Sequence, residues 1–152
     1  LAYATQDDLV PLRMTEQELV ELTDDSETDE DPGAGEVNVT IVGGALTEAS
    51  ARIDSYCRQR YITPLQQSDT IKGLTLDIAQ YLLFTRRRTT KPNETVAERY
   101  LDAINFLKDI ASGKASLDQP VGATQPQRSS GETLVTSKRQ TFDDDNLCGW
   151  SH

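Results

Sequence analysis

The densest group of potential ligands in this chain is D-D-S-E-T-D-E-D-P-G-A-G-E, Asp24 to Glu36. Clustered carboxylates suit calcium, a hard cation that prefers oxygen ligands. An EF-hand loop also needs glycine at its sixth position and ligands at alternating positions. Counting from Asp24 places Asp29 at that position, and counting from Asp25 places Glu30 there. The motif fails, and the segment reads as a solvated acidic loop. Other chemistries lack parts too. The one histidine, His152, stands at the end of the chain, where fraying is expected rather than catalysis. V-G-G-A, Val42 to Ala45, has neither the spacing nor the lysine of a phosphate-binding loop. Cys57 and Cys148 lie far apart, one on a helical face and one in a polar tail, so neither a disulfide nor a ligand pair is expected. With no positioned acid, base or nucleophile, the expectation is no enzyme, no cofactor and no metal.

The elements that would carry a non-catalytic function follow from composition and periodicity. At 152 residues the chain has the length of one ordinary domain. Its hydrophobic fraction is 36%, below the typical ~45–50%, even though that reference also counts glycine. One modest core is implied, with much of the chain outside it. No run approaches the roughly 18 apolar residues of a membrane span, and no charged-then-apolar signal segment opens the chain. A soluble protein with no membrane partner, staying in the compartment of its synthesis, is the expectation. The net charge of −10 argues against wrapping DNA, because backbone affinity comes from Lys and Arg neutralising phosphates. It leaves room for DNA that passes by without being gripped.

Y-A-T-Q-D-D-L-V predicts a short helix capped by Thr5, with Asp7 and Asp8 in its first turn and Pro11 limiting it. T-E-Q-E-L-V-E-L-T predicts a second, with Thr15 and Glu18 at capping-box spacing and Leu19, Val20 and Leu22 as its apolar stripe. From Val39, the residues Val39, Val42, Leu46, Ala49, Ile53, Tyr56 and Arg60 recur at three- and four-residue steps along a long helix that Pro64 closes. Asp69 to Arg86 predicts another, whose Ile71, Leu74, Ile78 and Leu82 are flanked by Leu76, Leu83 and Phe84. That width marks a central helix buried on more than one side. A last helix follows the cap Asn93, carries Val96, Tyr100, Ala103, Ile104, Leu107 and Ala111, and stops at Gly113. The fold class is all-α: a small bundle of two short N-terminal helices and three longer ones over residues 1–117, with an acidic loop at 24–36.

Two features of the bundle call for partners. Gly43 and Gly44 inside a helix cost on the order of 1 kcal/mol each relative to alanine. Close packing of a neighbouring copy would offset this; a helix that starts later would remove the cost altogether. Arg86, Arg87 and Arg88, with Lys91, end the central helix. There they gain from the helix dipole, or they dock on an acidic face of a neighbouring copy. Tyr56, Arg60 and Tyr61 are expected to lay rings and a stem over the next helix, making a rigid corner with Pro64.

After Leu117 the periodicity ends. Residues 118–152 form a long extended C-terminal arm, with linker composition from Gln119 to Gly131. Apolar anchors then return at Leu134, Val135, Phe142, Leu147 and Trp150. Too short to build a core, this arm is ordered by a partner or not at all. Phe142, Leu147 and Trp150 suit binding coupled to ordering, and Leu134 and Val135 permit a strand on a partner.

The succession Y-A-T-Q-D-D-L-V, E-L-V-E-L-T-D, an acidic loop, A-L-T-E-A-S-A-R-I-D-S-Y-C-R-Q-R-Y, L-T-L-D-I-A-Q-Y-L-L-F, E-R-Y-L-D-A-I-N-F-L-K-D-I-A-S-G-K-A-S-L and a closing segment from Phe142 to Trp150 resembles the Mu-like phage head–tail connector family. The resemblance covers most of the chain. It implies a helical adaptor forming a ring, commonly a dodecamer, below the portal of a tailed phage capsid. Such a ring extends the DNA channel, with DNA passing through unread, and offers a surface to stopper or tail-completion proteins. The resemblance also implies that the arm reaches the portal, that the protein is assembled in the host bacterial cytoplasm, and that it resides at the head–tail interface of the virion. Leu134, Val135, Phe142, Leu147 and Trp150 are then the candidate portal contacts. Gly43, Gly44, Arg86, Arg87 and Arg88 are the candidate subunit interface. The long acidic loop, Cys57 and Cys148 depart from the family's usual pattern.

Other classes of function predict different behaviour. A monomeric helical adaptor binding one protein through its tail would show a single-copy mass. A nucleic-acid-binding domain would grip phosphate with Arg86 to Arg88, and its binding would fall steeply with salt. An enzyme would need a pocket with titrating groups, for which the sequence offers no candidates.

Overall fold

The computed structural model describes residues 2–25, 35–87 and 91–121. Within them the chain forms five helices and no strand: α1 Gln6–Leu9, α2 Glu16–Thr23, α3 Val39–Cys57, α4 Asp69–Arg86 and α5 Glu94–Ser112. Each start has a chemical reason. The Thr15 side chain accepts from Glu18 N at 3.2 Å while the Glu18 carboxylate accepts from Thr15 N at 2.9 Å, a reciprocal capping box. Thr5 and Asp8 form a second one at α1. Asn38, Ser68 and Asn93 cap α3, α4 and α5 by accepting from backbone N–H groups of the first turn. Gly113 ends α5 at φ 87°, a left-handed conformation that an L side chain resists.

α4 is the hub. It packs against α3 and α5, and also meets α1 and α2. Its Ile71, Leu76, Ile78, Ala79 and Leu83 are all buried, as the wide apolar face predicts. α3 adds Val42, Leu46, Ala49 and Ile53, and α5 adds Val96, Ala103, Leu107 and Ile110. The stripe on α3 is shorter at both ends than its spacing implies. Val39 is 67% exposed, and Cys57, four residues after Ile53, is the last fully buried position while Tyr56 is only half-buried.

The corner after α3 also departs from expectation. Arg60 and Tyr61 bond to the end of α5 and the segment after it. Arg60 Nη1 donates to Ile110 O at 3.1 Å and Ala115 O at 3.3 Å, and the buried Tyr61 hydroxyl accepts from Leu117 N at 2.8 Å. Carbonyls at and just after a helix C-terminus carry the negative end of the dipole, which favours a guanidinium there. Residues beyond Leu117 are also bonded to the body. Ile62 N donates to Pro120 O at 3.4 Å, Tyr61 and Val121 form an antiparallel bridge, and the Gln66 backbone is bound at both polar groups by the Gln119 amide. The described body therefore includes residues 118–121.

Thr23 closes the acidic loop at its base. Fully buried, it donates to Leu19 O at 2.7 Å and accepts from Asn38 N at 3.1 Å, tying the end of α2 to the cap of α3.

Candidate assembly surface

α3 begins at Val39, so Gly43 and Gly44 do lie inside the helix. Both are exposed, and a Cβ added at either would meet nothing within 4 Å. Among the described residues, nothing occupies the space that side chains there would take. Gly44 lines an open groove of about 410 Å³ between α3 and α4, together with the apolar Ile41, Ala45, Leu82 and Leu83 and the polar Glu48 and Arg86. Two of the sequence-derived interface residues, Gly44 and Arg86, are thus brought to one groove.

The basic cluster has a partner inside the chain. Arg86 pairs with Asp25 and donates from Nη1 to Leu22 O at 3.3 Å; Arg87 reaches the same Asp25 carboxylate at 3.4 Å. Arg86, with Arg87 behind it, holds the Asp25 carboxyl below the usual carboxylate range. The cluster thus anchors the start of the acidic loop as well as facing the α4 dipole. Arg88 lies outside the described residues.

Beside the groove, Tyr81 of α4 and Tyr100 of α5 stack with centroids 4.0 Å apart and planes 10° from parallel. Arg52 of α3 joins them, donating to Tyr100 Oη at 3.1 Å and pairing with Glu48 at 2.7 Å. This three-helix seam was not singled out from sequence. The Glu48–Arg52 spacing of four residues was the available signal.

The chemistry on show is that of a surface. Burial, with the nearby Asp54 charge, pushes the Cys57 thiol up to about 11, so it stays protonated and inert near neutrality. Among the described residues, no group of three or more His, Cys, Asp or Glu is disposed to hold a metal ion, and no helix is long and apolar enough to cross a membrane. The arm anchors Leu134, Val135, Phe142, Leu147 and Trp150, with Cys148 and His152, lie outside the described residues.

Comparison with known proteins fixes the lineage. The family described as Bacteriophage Mu, Gp36 matches residues 3–136, nearly the whole described body and the first part of the tail. The chain belongs to the bacteriophage Mu Gp36 family. Among its relatives, the Mu-like prophage FluMu protein gp36 of Haemophilus influenzae is 36% identical over 87 residues, 57% of this chain and 59% of that protein. The match therefore spans less than two thirds of that relative. Gene product J of Escherichia phage Mu is 29% identical over 134 residues, 88% of this chain and 86% of that protein. This Gp36-family chain is a Mu-like phage protein with a helical body, and the groove and the glycine pair are features of that body.

Proposed function

We propose that the chain is a structural head–tail connector subunit of a Mu-like phage, assembling with copies of itself into a ring under the portal. The family match carries this reading, since it runs through the body and into the tail. The open glycine pair and the groove beside it support self-assembly, because neither is filled by the described residues. A net charge of −10 supports a passage for DNA, offering phosphates little to bind. In this reading the tail beyond Val121 docks on the portal through Leu134, Val135, Phe142, Leu147 and Trp150. The exposed face of the ring receives a stopper or tail-completion protein, and the protein resides in the virion.

Negative-stain imaging of the full chain mixed with purified portal rings tests this. A ring of density seated on the portal is expected. A chain ending at Val121 is expected to keep its helical circular dichroism and lose portal loading. Loading by the shortened chain would remove the role given to the tail.

A further inference from the structure

The groove between α3 and α4 is open among the described residues, and a second exposed feature has complementary chemistry. Leu12, on the turn joining α1 and α2, is 57% exposed. Asp7 on α1 and Glu16 on α2 flank that turn, and neither makes an ion pair among the described residues. At the groove, Arg86 shares the carboxylate of Asp25 with Arg87. An exposed leucine near two carboxylates that make no ion pair among the described residues thus exists on the same chain as a largely apolar groove edged by Arg86.

The two features lie on opposite flanks of α4. Arg13, next to Leu12, pairs with Asp77 at 2.6 Å, and its carbonyl accepts from Gln80 Nε2 at 2.8 Å. Leu82 and Arg86 line the groove. At about 100° per residue, they point roughly half a turn away from Asp77 and Gln80. A contact joining two different surfaces on opposite flanks is heterologous. It repeats from copy to copy and closes into a ring when the rotation allows.

We infer that the α1–α2 turn of one copy, led by Leu12 between Asp7 and Glu16, seats in the α3–α4 groove of the next copy beside Gly44 and Arg86. This inference rests on the ring reading and names both faces of its repeating contact. The bare Gly44 backbone leaves space for the incoming turn. Charge complementarity between the carboxylates and the arginines sets direction and register more than affinity.

Cross-linking of full-length chains tests it, in a Cys148→Ser background where Cys57 stays buried. Leu12→Cys and Gly44→Cys chains are prepared separately, each at a position with open space. They are treated with a short bismaleimide alone and mixed, in free solution and on portal rings, with native mass recorded in parallel. Linked dimers in the mixture, and none in either chain alone, are the expected result. Links between Gly44→Cys chains alone would mean a two-fold contact and overturn the inference. Multi-copy particles without Leu12–Gly44 links would overturn this pairing of faces and leave the ring standing. A single-copy mass under both conditions would remove the ring and this contact with it.

Discussion

Tyr3 and Asp54 meet through a 2.5 Å hydrogen bond from phenol to carboxylate, across 51 positions of sequence. The same hydroxyl accepts from Leu65 N at 2.8 Å, and Tyr3 N donates to Ser50 Oγ at 3.1 Å. The ring is 1% exposed. One side chain therefore ties the segment before α1 to the middle of α3 and to the turn that leads into α4. The rigidity of the bundle at this end rests on that junction.

Tyr3→Phe keeps the ring and removes both bonds at the hydroxyl. The Leu65 N–H and the Asp54 carboxylate lose a partner in a place water reaches poorly, which costs about 1–3 kcal/mol. Urea unfolding is expected to show a lower midpoint with an unchanged slope. Burial, then the Asp54 bond, pushes the Tyr3 hydroxyl up to about 12 from 10.0. A raised folded pKa gives stability that is whole below about 10 and lost as pH rises from 10 to about 12. The alkaline limb of a stability–pH curve should flatten in Tyr3→Phe.

The acid limb has a different source. Asp8 accepts from Lys72 Nζ at 2.8 Å and from Thr5 N at 2.9 Å, and these bonds hold its carboxyl down to about 2 from 3.8. A depressed folded pKa gives stability that is present above the unfolded value and lost as pH falls from about 4 to 2. Asp8→Asn is expected to reduce the slope of stability against pH in that window, read by thermal unfolding at fixed ionic strength. Leaving the slope as steep as before would assign the acid sensitivity to other carboxylates.

Arg60 and Gly113 form one device at the end of α5. The guanidinium caps two carbonyls there, and a Cβ on Gly113 would sit 3.2 Å from Arg60 Nη1. Gly113→Ala is expected to cost about 1–2 kcal/mol from its left-handed backbone alone. Arg60→Ala should cost about 1.5 kcal/mol, the low end for bonds to a charged group, since Arg60 is half-exposed. In the double variant the losses should sum to less than the two singles, because removing Arg60 frees the space that a Cβ needs. Full additivity in a double-mutant cycle would uncouple the pair.

Most of this bundle was legible because its signals are local. The bounds of α4, the Thr15–Glu18 box, the Asn93 cap and the Gly113 stop depend on residues within a few positions of one another. The junctions were not legible. Tyr3 belongs to no periodic run, yet it is fully buried by partners 47 to 62 residues away. Arg60 continues the α3 stripe by spacing, but the turn carries it to α5, 50 residues on. Arg86 has no carboxylate near it in sequence, and only the fold brings Asp25 beside it, 61 positions distant. For the candidate site, the cost of the glycine pair was visible in sequence. The groove beside it needs the packing of α3 on α4, which periodicity alone does not orient.

The glycine pair yields a prediction in which two measurements move in opposite directions. Helical glycine is less favourable than alanine by about 0.8–1.0 kcal/mol, and a methyl group added at Gly43 or Gly44 would meet no neighbour within 4 Å. In the isolated chain, Gly43→Ala with Gly44→Ala should therefore raise stability, by up to about 2 kcal/mol, read as a higher urea midpoint. If a second copy packs against this stretch, the added methyl groups hold it off, and fewer chains should appear in multi-copy particles by native mass. A single-chain role for the glycines, such as a required bend in α3, predicts instead that the folded chain itself loses stability. A gain in stability with assembly unaffected would show that the bare backbone serves neither the fold nor the contact, and would move the subunit interface away from Gly43 and Gly44.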